Sequence, residues 1–228
     1  MSLKSKSILF ISAAIALSAG FWIATQLQKS IDADSHDVNT KALDEARRGY
    51  SPIQGTILSP PRKISVPALL KDNAEKFTND DLKDQWHLMF FGYTHCPDVC
   101  PTTMGTLAQA KKAATANNQI FPQVIFVSVD PERDKAALLS EYIKYFDEDF
   151  IGVTGDDDLI RALTLQMSVV YLKMPVAEGD DPENYVVDHS AALLLINPEG
   201  KLAAFLNPPF TPESISKDFK TVVNNYKK

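Results

Sequence analysis

Short apolar runs alternate with helix-patterned stretches from residue 52 to the C-terminus. ISVPALL (64–70) is the first apolar run; Asp72-Asn73 reads as a turn and Thr78 to Asp84 as a short helix. WHLMFFGY (86–93) is mostly apolar, the pattern of a central strand covered on both faces. Pro101 suits the first turn of a helix running to about Asn117, where a missing N–H costs nothing. PQVIFVSVD (122–130) is rich in β-branched residues and ends at Asp130, a residue type that caps a helix, here one reaching Phe146. FIGVTG (150–155) predicts a further strand, and Asp156 to Met167 a helix whose acidic first turn suits the helix dipole. In the last third VVYLKM (169–174), SAALLLIN (190–197) and LAAFLN (202–207) predict strands. The turn Asn197-Pro198-Glu199-Gly200 makes the final two an antiparallel hairpin, and a closing helix starts near Pro212. This order predicts an α/β, thioredoxin-like fold with a mixed sheet and flanking helices.

The N-terminal stretch has a different character. Ser7 to Leu27 holds 21 uncharged residues, which as a helix reach roughly 32 Å, the thickness of a bilayer's hydrocarbon core. Lys4 and Lys6 precede it and Asp32, Asp34 and Asp37 follow, which keeps the N-terminus cytoplasmic and sends the rest across the membrane. A cleaved signal peptide is the rival reading, but Phe21, Trp22 and Ile23 extend the apolar run past the small residues at Ala16 to Ala19. The segment has no cysteine to carry a lipid. The expected organisation is therefore a membrane anchor at residues 1–27, a polar spacer at 28–55 and a folded domain at 56–228 outside the cytoplasm.

Net charge alters this picture little. The chain carries −6, and without Lys4 and Lys6 there are 21 basic against 29 acidic residues. That balance argues against nucleic acid, because phosphate binding needs a basic surface.

The chemistry concentrates in FFGYTHCPDVCPTTM (90–104), which holds both cysteines of the chain, with three residues between them. A structural disulfide would close only a small loop here, and a non-cytoplasmic compartment oxidises exposed thiols. The pair is then kept reduced, occupied by a metal, or cycled. Cys96 and Cys100 fall where a central strand meets a helix, whose N-terminal amides favour thiolate. Two thiolates need a third ligand. His36 lies in the spacer, His87 in a strand, and His95 beside Cys96 where joint chelation is awkward. His189, in YVVDHSAALLLIN beside Asp188, faces the cysteine loop if the thioredoxin topology holds. Two thiolates and an imidazole suit copper, particularly Cu(I), with zinc as competitor. Asp98 reads as either a loop-turn residue or a tuner of metal charge or of a docking surface. Met104, one helical turn beyond Cys100, reads as core packing with a Cu(I)-binding thioether as the alternative; Phe91 and Tyr93 read as core or site-wall residues.

FGYTHCPDVCPTTM, VSVDPERD (127–134) and YVVDHSAALLLINPEGK (185–201), in that order and spacing, resemble the SCO/SenC family. The resemblance covers roughly residues 60–225. It implies a membrane-anchored thioredoxin-fold protein that binds copper through Cys96, Cys100 and His189. It further implies assembly of the binuclear copper centre of cytochrome c oxidase, with subunit II as acceptor and an upstream copper donor or thiol reductant as a second partner. The alternative is a thiol–disulfide oxidoreductase that uses Cys96 and Cys100 as a redox pair to reduce the acceptor's cysteines. A peroxidase would need an activating set around one thiolate, and the sequence offers none.

Overall fold

The computed structural model describes Trp22, Gln26, residues 53–176, Asp181 and residues 184–226. Trp22 and Gln26 are helical; the rest of the expected anchor, the spacer and His36 lie outside the described residues. Among the described residues no helix is long and apolar enough to cross a membrane. Residues 53–228 form one compact unit.

Its centre is an eight-stranded mixed sheet with the order β1-β10-β9-β4-β5-β6-β2-β3. The strands are β1 (Gly55–Lys63), β2 (Leu69–Lys71), β3 (Lys76–Phe77), β4 (His87–Gly92), β5 (Gln123–Ser128), β6 (Ile151–Thr154), β9 (Leu193–Ile196) and β10 (Lys201–Leu206). A separate ribbon pairs β7 (Tyr171–Lys173) with β8 (Val187–His189). Four helices complete the unit: α1 (Val99–Ala116), α2 (Ala136–Phe146), α3 (Asp157–Gln166) and α4 (Pro212–Tyr226). The 3-10 turn Asn79–Leu82 is capped by Thr78, whose side chain and backbone engage Asp80 and Asp81.

β4 runs parallel to β5 and antiparallel to β9. All six of its residues are buried, as its continuous apolar sequence predicts for a strand covered on both faces. Leu88, Met89, Phe90 and Phe91 join Val124 to Val127 and Leu193 to Ile196 in one core. His87, at the start of β4, is a core residue: burial pulls its pKa down to about 4, so it is neutral near pH 7. β9 and β10 form the expected antiparallel hairpin, with Gly200 at φ +71° in its turn.

Three features depart from expectation. β1 forms although Pro60 and Pro61 interrupt it. It sits at the sheet edge, with its register to β10 broken between Ile57 and Arg62, where prolines remove no interior hydrogen bond. The 169–174 run pairs in the ribbon, not in the main sheet, because β8, too short to stand out in the sequence, offers it a partner. Finally, Asp130 caps nothing: α2 starts at Ala136 with Lys135 as its N-cap, and the Asp130 carboxylate is buried against Arg133 and Tyr185.

Candidate metal centre

Cys96 sits in the turn after β4, and Cys100 in the first turn of α1. Gly92, at the end of β4, makes room for the second sulfur. A Cβ there would lie 2.8 Å from Cys100 Sγ and 2.9 Å from the Phe126 ring. β8 carries His189 to the same end of the sheet. There its ring stands edge-on to Phe90 and Tyr93, at centroid distances of 6.0 and 5.9 Å. His189 Nε2 lies 3.4 Å from Cys100 Sγ. The ligand atoms of Cys96, Cys100 and His189 all fall within 4.8 Å of one another. The fold thus brings together the three residues singled out in the sequence, across 89 positions of chain between Cys100 and His189.

The remaining candidates fall elsewhere. His95 is half-exposed, with Nδ1 3.0 Å from Thr94 Oγ1, and stands apart from the cluster. His87 and Met104 are core residues, as is Phe91; Tyr93 is both core and site wall. Asp98 is exposed at the start of α1 and lines the site.

The two thiols differ sharply. Cys96 is partly exposed and Cys100 is fully buried. The Cys100 thiol, hydrogen-bonded to the Cys96 sulfur, is the largest influence holding the Cys96 thiol down at about 4; burial opposes it. The backbone N–H groups of Cys100 and Asp98, at the opening of α1, and His189 add to it. The Cys100 N–H donates to Cys96 Sγ at 3.4 Å. Cys100 is pushed up, first by its bond to the Cys96 sulfur and then by burial. At neutral pH the pair therefore holds one thiolate, on Cys96, and one proton, on Cys100. Iodoacetamide is expected to modify Cys96 at a rate that is flat between about pH 8 and pH 5 and falls by half near pH 4. Cys100 stays unmodified. A half-rate near the ordinary thiol pKa of about 8.5 would contradict this assignment.

His189 Nδ1 lies 3.2 Å from the Ser190 carbonyl oxygen. A proton on Nδ1 donates there, which leaves the Nε2 lone pair facing the sulfurs. A cavity of about 420 Å³ opens beside the three ligands, lined by Tyr93, Cys96, Asp98, Val99, Met174 and His189. The centre is thus reachable from outside on the Cys96 and His189 side, while Cys100 forms its floor.

The sequence reading missed Asp134. Its carboxylate is fully buried and accepts from the Thr94 N–H (2.9 Å), the Thr94 hydroxyl (2.6 Å) and the Ser128 hydroxyl (2.7 Å). It thereby moors the turn that carries Cys96 to the end of β5. The acidic run VDPERD was its only signal, and Asp130 drew the attention there.

Residues 63–224 match the SCO1/SenC family model. The chain belongs to the SCO1/SenC family. An SCO2-like protein of Rickettsia felis is 35% identical over 153 residues, which is 67% of this chain and 73% of that protein. The crystal structure of Arabidopsis thaliana ScoI with copper bound is 32% identical, with a TM-score of 0.65, and covers 72% of this chain and 100% of that one. The copper-bound structure of Bradyrhizobium japonicum ScoI is 34% identical, with a TM-score of 0.57, covering 69% and 98%. The mixed sheet with its flanking helices is thus the thioredoxin-like fold of Sco proteins. The donor set fits the metal those structures carry: two sulfurs and one imidazole nitrogen, already gathered, could hold a soft ion.

Proposed function

We propose that this protein is a copper metallochaperone, with Cys96, Cys100 and His189 as the ligands of its cargo. One observation carries this reading: the three ligand atoms lie within 4.8 Å of one another, beside an open cavity. Copper binding displaces the Cys100 proton and joins two thiolates to the His189 Nε2 lone pair. Three ligands leave a coordination position free on the cavity side. A thiolate or thioether of an acceptor enters there and takes the ion by stepwise exchange between similar soft ligands. The acceptor in this reading is the binuclear copper centre of cytochrome c oxidase subunit II, loaded during assembly. Residues 1–27 anchor the chain in the membrane, 28–55 space it, and 56–228 work on the periplasmic or equivalent side.

A second reading has its own support in the inequality of the two thiols. A partly exposed thiolate beside a buried, protonated partner is the arrangement for thiol–disulfide exchange. The Cys96 thiolate would attack one sulfur of an acceptor disulfide and release the other as a thiol. Cys100 would then resolve the mixed disulfide, leaving a Cys96–Cys100 disulfide and a reduced acceptor. A thiol reductant resets the pair. Oxidation also removes two of three ligands, so the redox state gates copper loading.

Metal analysis of the reduced protein separates the readings. Near-stoichiometric copper that vanishes with Cys96→Ser is the expected result. Zinc in its place, or no metal, overturns the chaperone reading in favour of the oxidoreductase.

A further inference from the structure

His189 is carried not by the main sheet but by the two-stranded β7–β8 ribbon, so something must fix the ribbon's position. One end is tied locally: the Ser190 N–H donates to the Val170 carbonyl at 2.9 Å, and the Val170 N–H donates to Ser190 Oγ at 3.1 Å. These bonds hold the ribbon to itself and fasten it to nothing else.

The ribbon is fastened outside itself at two places: in β7 the Tyr171 hydroxyl donates to Asp157 Oδ1 at 2.9 Å, and four residues before His189 stands Tyr185. Its hydroxyl donates to Asp130 Oδ1 at 2.7 Å, bridging 55 positions of chain to the segment between β5 and α2. Asp130 is fully buried, and its other oxygen accepts from Arg133 Nε. The Arg133 guanidinium lies over the Tyr185 ring at 3.7 Å and near the Tyr93 ring at 5.7 Å. Burial and the bond to Asp130 both raise the Tyr185 pKa, so the phenol stays a donor. From β7, Lys173 adds an ion pair to Glu132 at 2.8 Å and approaches Asp130 at 4.0 Å. Both strands of the ribbon are therefore held by the one acidic–basic segment Asp130 to Arg133.

We propose that Tyr185 is a positioning residue for the His189 ligand, acting through its hydroxyl bond to Asp130 and the stacked Arg133. Val187 and Tyr171 keep the ribbon on the core, so loss of the Tyr185 hydroxyl does not free it but loosens the approach to β8 and lets the imidazole shift from the sulfurs. The free energy of ordering His189 is then charged to metal binding instead of to folding. A phenyl ring at position 185 keeps its packing against the core, so loss of the hydroxyl alone loosens the ligand without unfolding the domain. This inference rests on His189 being a copper ligand, but its test has a metal-free arm.

The variant is Tyr185→Phe, which keeps the ring under Arg133 and deletes only the hydroxyl. In the metal-free, reduced full-length chain, the His189 imidazole resonances are expected to shift and broaden, while the thermal midpoint stays within a few degrees. Copper affinity, measured by competition with a chelator, is expected to fall about tenfold, as for other residues that orient a metal-binding histidine. In a His189→Ala background the same substitution is expected to change affinity less than twofold. Unchanged His189 resonances overturn the proposal. So does an equal loss of affinity with and without His189, which would mark Tyr185 as acting on the fold at large. A parent protein that binds no copper sinks the metal reading alone, because the imidazole resonances still decide the clamp.

Discussion

His189→Ala is expected to weaken copper binding by roughly 100- to 1000-fold while leaving the domain folded. Structural zinc sites with four ligands are held by about 10–16 kcal/mol, or about 2.5–4 kcal/mol per ligand, and each 1.4 kcal/mol is tenfold in affinity. The imidazole is preset for the task, with Nε2 3.4 Å from Cys100 Sγ and Nδ1 placed to donate to the Ser190 carbonyl. Its loss deletes a ligand that needs no rearrangement to bind. Cu(II) should lose more than Cu(I), since the softer ion is better satisfied by two thiolates alone. The ring packs edge-on against Phe90 and Tyr93 but belongs to the ribbon, so the main sheet survives. Reduction of a disulfide substrate by the Cys96–Cys100 pair should persist, because dithiol exchange needs no distant imidazole. Chelator competition for both oxidation states and a thiol-exchange assay check this together. An affinity within threefold of the parent, or parallel loss of both activities, would contradict the ligand assignment.

The largest effect on stability is expected at Asp134. Asp134→Ala strands the Thr94 N–H and the buried Ser128 hydroxyl, at about 1–3 kcal/mol for each unsatisfied group, partly relieved by no longer burying a charge; the Thr94 hydroxyl keeps His95 Nδ1 at 3.0 Å. A net loss of about 2–4 kcal/mol lowers the thermal midpoint of a domain this size by roughly 5–15 °C. Because Thr94 lies two residues before Cys96, copper affinity should fall as well. Asp134→Asn should be milder. Its oxygen can take the place of Oδ2, which accepts from both the Thr94 N–H and Ser128, and its amide can donate to a reoriented Thr94 hydroxyl. Calorimetry and chelator competition on both variants give the ranking; equal effects of Ala and Asn would show that the bonds are not what Asp134 supplies.

Much of the fold was legible because β4, β5 and β9 are buried on both faces and so read as unbroken apolar runs. The helix after Cys100 announced itself through Pro101. β1 was hidden by its own prolines, which only its edge position explains. β8 was hidden because three residues, one of them buried, make no pattern. At the site, Cys96 and Cys100 stand together in the chain, whereas His189 needed both an assumed topology and a family resemblance. Asp134 and Tyr185 lie in motifs that the sequence singled out, but what they hold could not be read. Their partners lie 40 and 55 positions away, and buried polar contacts at such separations leave no periodicity.

X-ray absorption at the copper edge of the reduced, loaded protein tests the central claim most directly. Two sulfur scatterers and one nitrogen, becoming sulfur without imidazole in His189→Ala, with no bound copper left in Cys96→Ser, is the predicted result. A copper shell of nitrogen and oxygen alone, or one unchanged by either substitution, would contradict it.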